Sequence, residues 1–183
     1  MNEEKEEIFR RIKTALKILK DDLEPEIIPE SGMAIAFALE NAIDPQEVFG
    51  PSERVTVSEE KITIPSGIVP GADEEISAVI LTAVKYDRTI RSAANIRYSE
   101  ELIRAVSDYF PDVRSFDPER EPPTAASMDW GVAACCGEDN IPDVIFNRES
   151  TLREGRILIF GEDPVETVRN IINLQRRINN KNQ

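Results

Sequence analysis

The sequence predicts an α/β domain in which a mixed β-sheet lies between helices, and three observations carry that expectation. Helical and strand-like apolar periodicities alternate loosely along the chain. One pair of short alternating segments is spaced as a hairpin, which a purely parallel sheet does not contain. With 183 residues, 40% of them hydrophobic, the chain has the material for one ordinary core without disulfides or metal.

From Glu3 to Leu23 the apolar residues Ile8, Phe9, Ile12, Ala15, Leu16, Leu19 and Leu23 recur at three- and four-residue steps amid alternating charges, which predicts an amphipathic helix ended by Pro25 and Pro29. Residues 1–25 are therefore expected as an N-terminal amphipathic helix of a single-domain chain, packed on the main domain or on a partner subunit, so a homo-oligomer is one expectation. The segment is too short for a helix-turn-helix domain. Met33 to Ala38 is an apolar run, and Arg54 to Ser58 with Lys61 to Ile64 form the hairpin pattern around Glu59 and Glu60. Asp73 precedes the helical stripe Ile76, Val79, Ile80 and Ala83, predicting a capped helix to about Tyr86.

Ser92 to Tyr98 reads as a strand, and Ser99-Glu100-Glu101 then supplies a capping serine and first-turn acids for a helix to Phe110. Pro111 to Phe116 is strand-like through Val113 and Phe116, and Pro118 to Pro123 forms a proline-rich connection suited to a loop beside a site. A helix is expected over Met128 to Cys136, with strands at Asp143 to Phe146 and Arg156 to Phe160. Asp163, Pro164 and Glu166 provide cap, N1 proline and N3 acid for a last helix bearing Val165, Val168, Ile172 and Ile178. The main domain is thus expected over 26–178, with 179–183 as a frayed tail.

Composition excludes whole classes of function. The formal charge of −13 repels polyphosphate backbones, and the basic residues are interleaved with acids, so no direct nucleic-acid partner is expected. No apolar stretch approaches the roughly 20 residues of a bilayer span, and the acidic first residues resemble neither a secretory signal nor a presequence; no membrane partner and a cytoplasmic location are the expectations. There is no histidine, which excludes imidazole bases, Ser-His and Cys-His nucleophile systems and histidine metal sites. Cys135 and Cys136 are neighbours, a spacing without an ordinary disulfide or a useful metal-ligand set, and they read as small buried apolar residues.

Four segments match a known pattern in order and spacing: Ser92-Ala93-Ala94-Asn95-Ile96-Arg97-Tyr98; Ser115-Phe116-Asp117; Ser127-Met128-Asp129-Trp130-Gly131; and Pro142-Asp143-Val144-Ile145-Phe146 running on to Phe160-Gly161-Glu162-Asp163-Pro164. Across about Glu30 to Leu174 the chain resembles the archaeal-type thiamine-phosphate synthase domain family, ThiN. The resemblance implies a three-layer α/β/α sandwich with a mixed sheet, similar to the class II aldolase-like fold. It implies a synthase that joins hydroxymethylpyrimidine diphosphate to thiazole phosphate, or a non-catalytic member that senses thiamine phosphate. Phosphorylated thiamine precursors or thiamine phosphate are the expected ligands, with Mg2+ if the chain is catalytic and no cofactor otherwise.

Departure of pyrophosphate builds charge on the leaving oxygens, which calls for cationic donors, and Arg97 is the residue chosen for that catalytic clamp. It follows an apolar strand and precedes a helix start, a junction where α/β proteins gather ligand contacts; the alternative is a surface pair with Glu100 or Glu101. Asn95 shares the strand face of Arg97 and either holds ligand or satisfies a strand edge. Asp117 and Asp143 either accept from an aminopyrimidine or help bind magnesium, or they cap turns. Ser127, Met128 and Asp129 mark a helix start suited to phosphate; Trp130 either stacks on a heteroaromatic ring or fills core, and Arg148 either reaches phosphate or is solvated. No metal ligand set is expected among them. Three departures from the family pattern favour binding over catalysis. Catalytic members are expected to carry a functional histidine, which is absent. The loop after Arg148, glycine-rich in the family, reads Glu149-Ser150-Thr151-Leu152-Arg153-Glu154-Gly155. Asp73-Glu74-Glu75 is an acidic helix start, good for capping and poor for phosphate.

Overall fold

A computed structural model of the chain describes residues 2–122, 129–137, 140–151 and 153–181. The first helix, α1 (Glu3–Asp22), is capped by the Asn2 side chain and has acids in its first turn, both favourable at the positive end of a helix. Its stripe of Ile8, Ile12, Ala15, Leu16 and Leu19 is buried. That face packs on the last helix, α5 (Pro164–Lys181), and on the sheet, so the 1–25 segment is built into the same core as the rest of the chain. α5 continues through Lys181, past the expected end of order at Asn179; Asn179 bonds the Glu24 carboxylate and Lys181 pairs with Asp108, holding the last turn in place.

The strands are β1 (Ile35–Ala38), β2 (Val48–Pro51), β3 (Thr56–Ser58), β4 (Lys61–Thr63), β5 (Ile68–Pro70), β6 (Ser92–Ile96), β7 (Val113–Ser115), β8 (Val144–Asn147) and β9 (Arg156–Gly161). Seven of them form one sheet in the order β5-β2-β1-β6-β9-β8-β7, with β7 and β8 parallel and the other pairings antiparallel. The expected mixed sheet is present. The expected hairpin is β3–β4, a two-stranded ribbon apart from the main sheet, and Glu59 and Glu60 turn it at φ of 50° and 65°. A two-residue hairpin loop requires that positive-φ conformation. β2 and β5 had no sequence signal: each is short and contains a proline. Pro51 is the last residue of β2, and Pro70 lies on β5, an edge strand, where a missing ladder donor is tolerated.

The remaining helices are α2 (Glu74–Tyr86), α3 (Glu100–Tyr109) and α4 (Trp130–Cys135). α4 begins at Trp130, with Asp129 as its cap; Met128, where the helix was expected to start, lies outside the described residues. Because side chains alternate across a strand, successive residues enter opposite layers. Ala94 and Ile96 of β6 and Ile157 and Ile159 of β9 meet α1, α3 and α5, whereas Ala93, Leu158 and Phe160 meet α2 and α4. The architecture is therefore a three-layer α/β/α sandwich. Among the described residues, no helix is long and apolar enough to cross a membrane.

One consequence of the topology positions the site. β6 and β8 are each antiparallel to β9, so their carboxyl ends lie together beside the start of β9: Ile96 pairs with Ile157, and Asn147 pairs with Arg156.

Candidate functional site at the carboxyl end of β6

Arg97 follows the last residue of β6. Its backbone N–H donates to the Ile27 carbonyl (2.8 Å) and its Nε to the Ile28 carbonyl (3.1 Å), which fixes the stem of the side chain to the segment below the sheet end. Ser99 caps α3 by accepting from Leu102 N–H (3.0 Å), so the chain turns away immediately after the arginine. Glu100, the neighbour expected as an alternative partner, is held at 3.0 Å by Arg148 instead. Among the described residues, no carboxylate pairs with Arg97.

A cavity of about 680 Å³ opens at this end of the sheet, and four arginines line it: Arg54, Arg97, Arg153 and Arg156. Arg156, the first residue of β9, is 10% exposed and makes a two-pronged pair with Asp129, 7% exposed, at 3.0 and 3.2 Å. The same carboxylate caps α4 through Val132 N–H (3.0 Å), and the Asp129 N–H donates to Thr82 Oγ1 on α2 (2.9 Å). One residue therefore ties the sheet end to two helices of the same layer. Arg54 binds Asp73, the cap of α2, at 2.8 and 3.3 Å; that hydrogen bond raises the arginine's pKa above its ordinary value, against the opposing effect of burial. Arg153 pairs with Glu121 at 3.3 Å. Three of the four guanidiniums thus have a carboxylate partner within the protein.

Tyr98 and Trp130 add aromatic walls to the cavity. The Tyr98 ring lies directly against Gly155, where an added Cβ would meet ring carbons at 2.3–2.6 Å. Gly131 is crossed in the same way by the Phe116 ring, which meets Trp130 edge-on at 5.9 Å. Two glycines therefore let aromatic rings close down on the backbone beside the site.

Of the residues selected from sequence, Asn95, Arg97, Asp129 and Trp130 come together at this cavity. Asn95 is 6% exposed, and its amide serves the backbone: Oδ1 accepts from Ala34 N–H (2.6 Å) and Nδ2 donates to the Gly32 carbonyl (3.4 Å). Asp117, Asp143 and Arg148 are not brought to the cavity. Asp117 is exposed and accepts from Glu119 N–H, capping the short helical turn Pro118–Arg120. Asp143 precedes β8 and therefore sits at the opposite end of the sheet, where it accepts from Asp112 N–H (3.1 Å). Arg148 is exposed on the other face of the sheet, paired with Glu100 and stacked over Phe146 at 5.3 Å. Ser127 and Met128 lie outside the described residues.

Sequence reasoning did not select Arg54, Arg153, Arg156 or Tyr98. Arg54 is joined to Asp73 across nineteen positions with no local pattern. Arg153 and Arg156 flank Gly155, the one glycine left in the loop after β8, and that is the signal closest to hand. The Cys135 and Cys136 thiols are both pushed up to about 11, chiefly by burial, as fits small apolar residues. Among the described residues no group of three or more acids or cysteines is arranged to hold a metal.

The layers, the mixed sheet and the cavity at one sheet end define a class II aldolase-like α/β/α domain. An L-fuculose-1-phosphate aldolase from Thermus thermophilus shares that fold, with a TM-score of 0.51 at 11% identity over 94% of this chain and 90% of that one. Within this class the chain belongs to the ThiN family: the model described as thiamine-phosphate synthase ThiN matches residues 11–173. It is 32% identical over 177 residues to the bifunctional thiamine biosynthesis protein ThiDN of Methanocaldococcus jannaschii, covering 96% of this chain and 42% of that protein, so it spans less than half of that relative's length. It is 29% identical to thiamine-phosphate synthase ThiN of Methanothermobacter thermautotrophicus over 82% of this chain and 83% of that one. The crystal structure of the C-terminal domain of protein MJ0236 superimposes with a TM-score of 0.88 at 32% identity, covering 98% of both chains.

Proposed function

We propose that the cavity at the end of β6 joins a hydroxymethylpyrimidine diphosphate to a thiazole phosphate, releasing pyrophosphate and forming thiamine phosphate. The observation that carries this reading is Arg97: it lines the cavity, its stem is anchored by the Ile28 carbonyl, and no described carboxylate neutralises it. In the reaction a bond forms from the thiazole nitrogen to the pyrimidine methylene as the methylene–oxygen bond breaks, and the electron pair leaves with pyrophosphate. Donors fixed beside the leaving oxygens stabilise that charge without reorganising, which is the role assigned to Arg97. Tyr98 and Trp130 supply flat walls for the two heteroaromatic rings.

Magnesium fits the donor chemistry of the site as an ion that arrives with the diphosphate, because it is commonly held by one or two carboxylates plus phosphate oxygens. Glu149, which lines the cavity with no described ion-pair partner, is the carboxylate we place beside it. When bound, the ion offsets the charge of the leaving diphosphate. A second reading, a non-catalytic thiamine phosphate binder, is favoured by the absence of histidine from the chain.

Two measurements separate these readings. Purified protein incubated with both phosphorylated precursors and magnesium is expected to form thiamine phosphate, and Arg97→Ala to lower the rate by roughly a hundredfold or more. If no product forms but calorimetry shows saturable thiamine phosphate binding that Arg97→Ala weakens, the binder reading stands. A flat trace at millimolar ligand overturns both.

A further inference from the structure

Glu75, in the first turn of α2, lines the cavity between two arginines that come from different parts of the chain. Its Oε2 lies 3.9 Å from Arg54 Nη2 and its Oε1 lies 3.6 Å from Arg156 Nη1. Each oxygen faces one guanidinium, at a separation longer than the 2.7–3.2 Å of a hydrogen bond, so these contacts are ion pairs held by charge alone. Both arginines already have a closer carboxylate, Asp73 for Arg54 and Asp129 for Arg156. Glu75 is thus a third negative charge on a cluster that two carboxylates had balanced, and its side chain is 47% exposed.

We infer that Glu75 is an internal stand-in for an anionic ligand: it occupies the place between Arg54 and Arg156 that a phosphoryl group takes when the site fills, and it sets the affinity for that group. The inference rests on the reading of this cavity as a phosphate-binding site. Two guanidiniums from separate segments face the two oxygens of one small anion, and a phosphoryl group offers arginines the same charge with more acceptor oxygens for closer, charge-assisted hydrogen bonds. Glu75 lies in the first turn of the 13-residue α2, where the positive helix end favours its negative charge. A loosely held, half-exposed carboxylate is displaced at little cost, whereas Asp73 and Asp129, each bonded at 2.8–3.0 Å and each capping a helix, stay. The ligand class is a phosphate or diphosphate ester presented end-on, and the effect is on discrimination: only an anion that outcompetes a carboxylate settles there.

The test is calorimetric titration with pyrophosphate, and separately with thiamine phosphate, in buffer free of divalent cations. Glu75→Gln keeps the size and removes the charge, and is expected to tighten binding by roughly fivefold or more. Glu74→Gln, on the same turn and exposed, removes the same charge from the molecule and is expected to change affinity by less than about twofold. Glu75→Ala should act in the same direction as Glu75→Gln. Equal or weaker binding by both Glu75 variants, or equal tightening by Glu74→Gln, overturns the stand-in role; the cavity reading then survives if Arg97→Ala still weakens the wild-type affinity. Absence of binding in wild type and in both Glu75 variants overturns the two readings together.

Discussion

Both terminal nitrogens of Arg156 meet both carboxylate oxygens of Asp129, and each side chain is at least nine-tenths buried. Such a pair is costly to break from one side, because the remaining charge is left without water or a partner. Asp129→Ala also removes the α4 cap. We expect it to destabilise the fold by about 3–5 kcal/mol, read as a shift in the urea midpoint at constant slope. The same variant should disturb Trp130, whose fluorescence reports the change in the native state.

Gly155 lies under the Tyr98 ring at distances that no Cβ tolerates. Gly155→Ala must push the ring or the loop aside, and is expected to cost about 1–3 kcal/mol and to weaken the thiamine phosphate binding proposed for this cavity through the displaced wall. Adding Tyr98→Ala removes the clash. The double variant should therefore lose less than the sum of the single losses, a coupling that a thermodynamic cycle measures directly.

Leu19 of α1 is fully buried against the core shared with α5. Leu19→Ala should cost about 2–5 kcal/mol, as in the centre of any packed domain. A loss under about 0.5 kcal/mol would show that α1 is an appended element whose removal leaves the sandwich intact.

Cys135 and Cys136 ionise at about 11, above the ordinary thiol value of 9.0. A raised pKa on an acid means that the unfolded chain releases its proton first as pH rises. Stability contributed by the neutral thiols is therefore present below pH 9 and declines between about pH 9 and 11. Iodoacetamide at pH 8 should alkylate the native protein roughly a hundredfold more slowly than the urea-unfolded chain, from thiolate fraction alone.

Glu59 and Glu60 turn the β3–β4 hairpin at positive φ without a glycine. Replacing them with Asn-Gly supplies residues that adopt this conformation readily, and should stabilise the native state by about 1 kcal/mol. Thermal unfolding of the double variant checks it.

Local patterns made much of the architecture legible. The stripe in 3–23, the caps at Asp73, Ser99 and Asp163, and the apolar runs of β6 and β9 are written in consecutive residues, where propensity and periodicity act. The four matched segments also pointed to Arg97 at the junction of β6 and α3. β2 and β5 escaped notice because three or four residues carrying a proline offer no period to read; their pairing is supplied by neighbours distant in sequence. Asp143 and Arg148 were chosen for their place beside a strand, yet one lies at the far sheet end and the other on the far face, distinctions that depend on strand direction and pleat.

The sequence by itself determined the α/β class, the mixed sheet and the family, and it excluded imidazole chemistry, since those follow from local spacing and composition. Only the tertiary structure decided which charges face one another. Arg54 with Asp73, Arg153 with Glu121 and Arg156 with Asp129 are pairs between separate segments. Electrostatic energy depends on distance through space, so these pairs become visible only after the layers have packed.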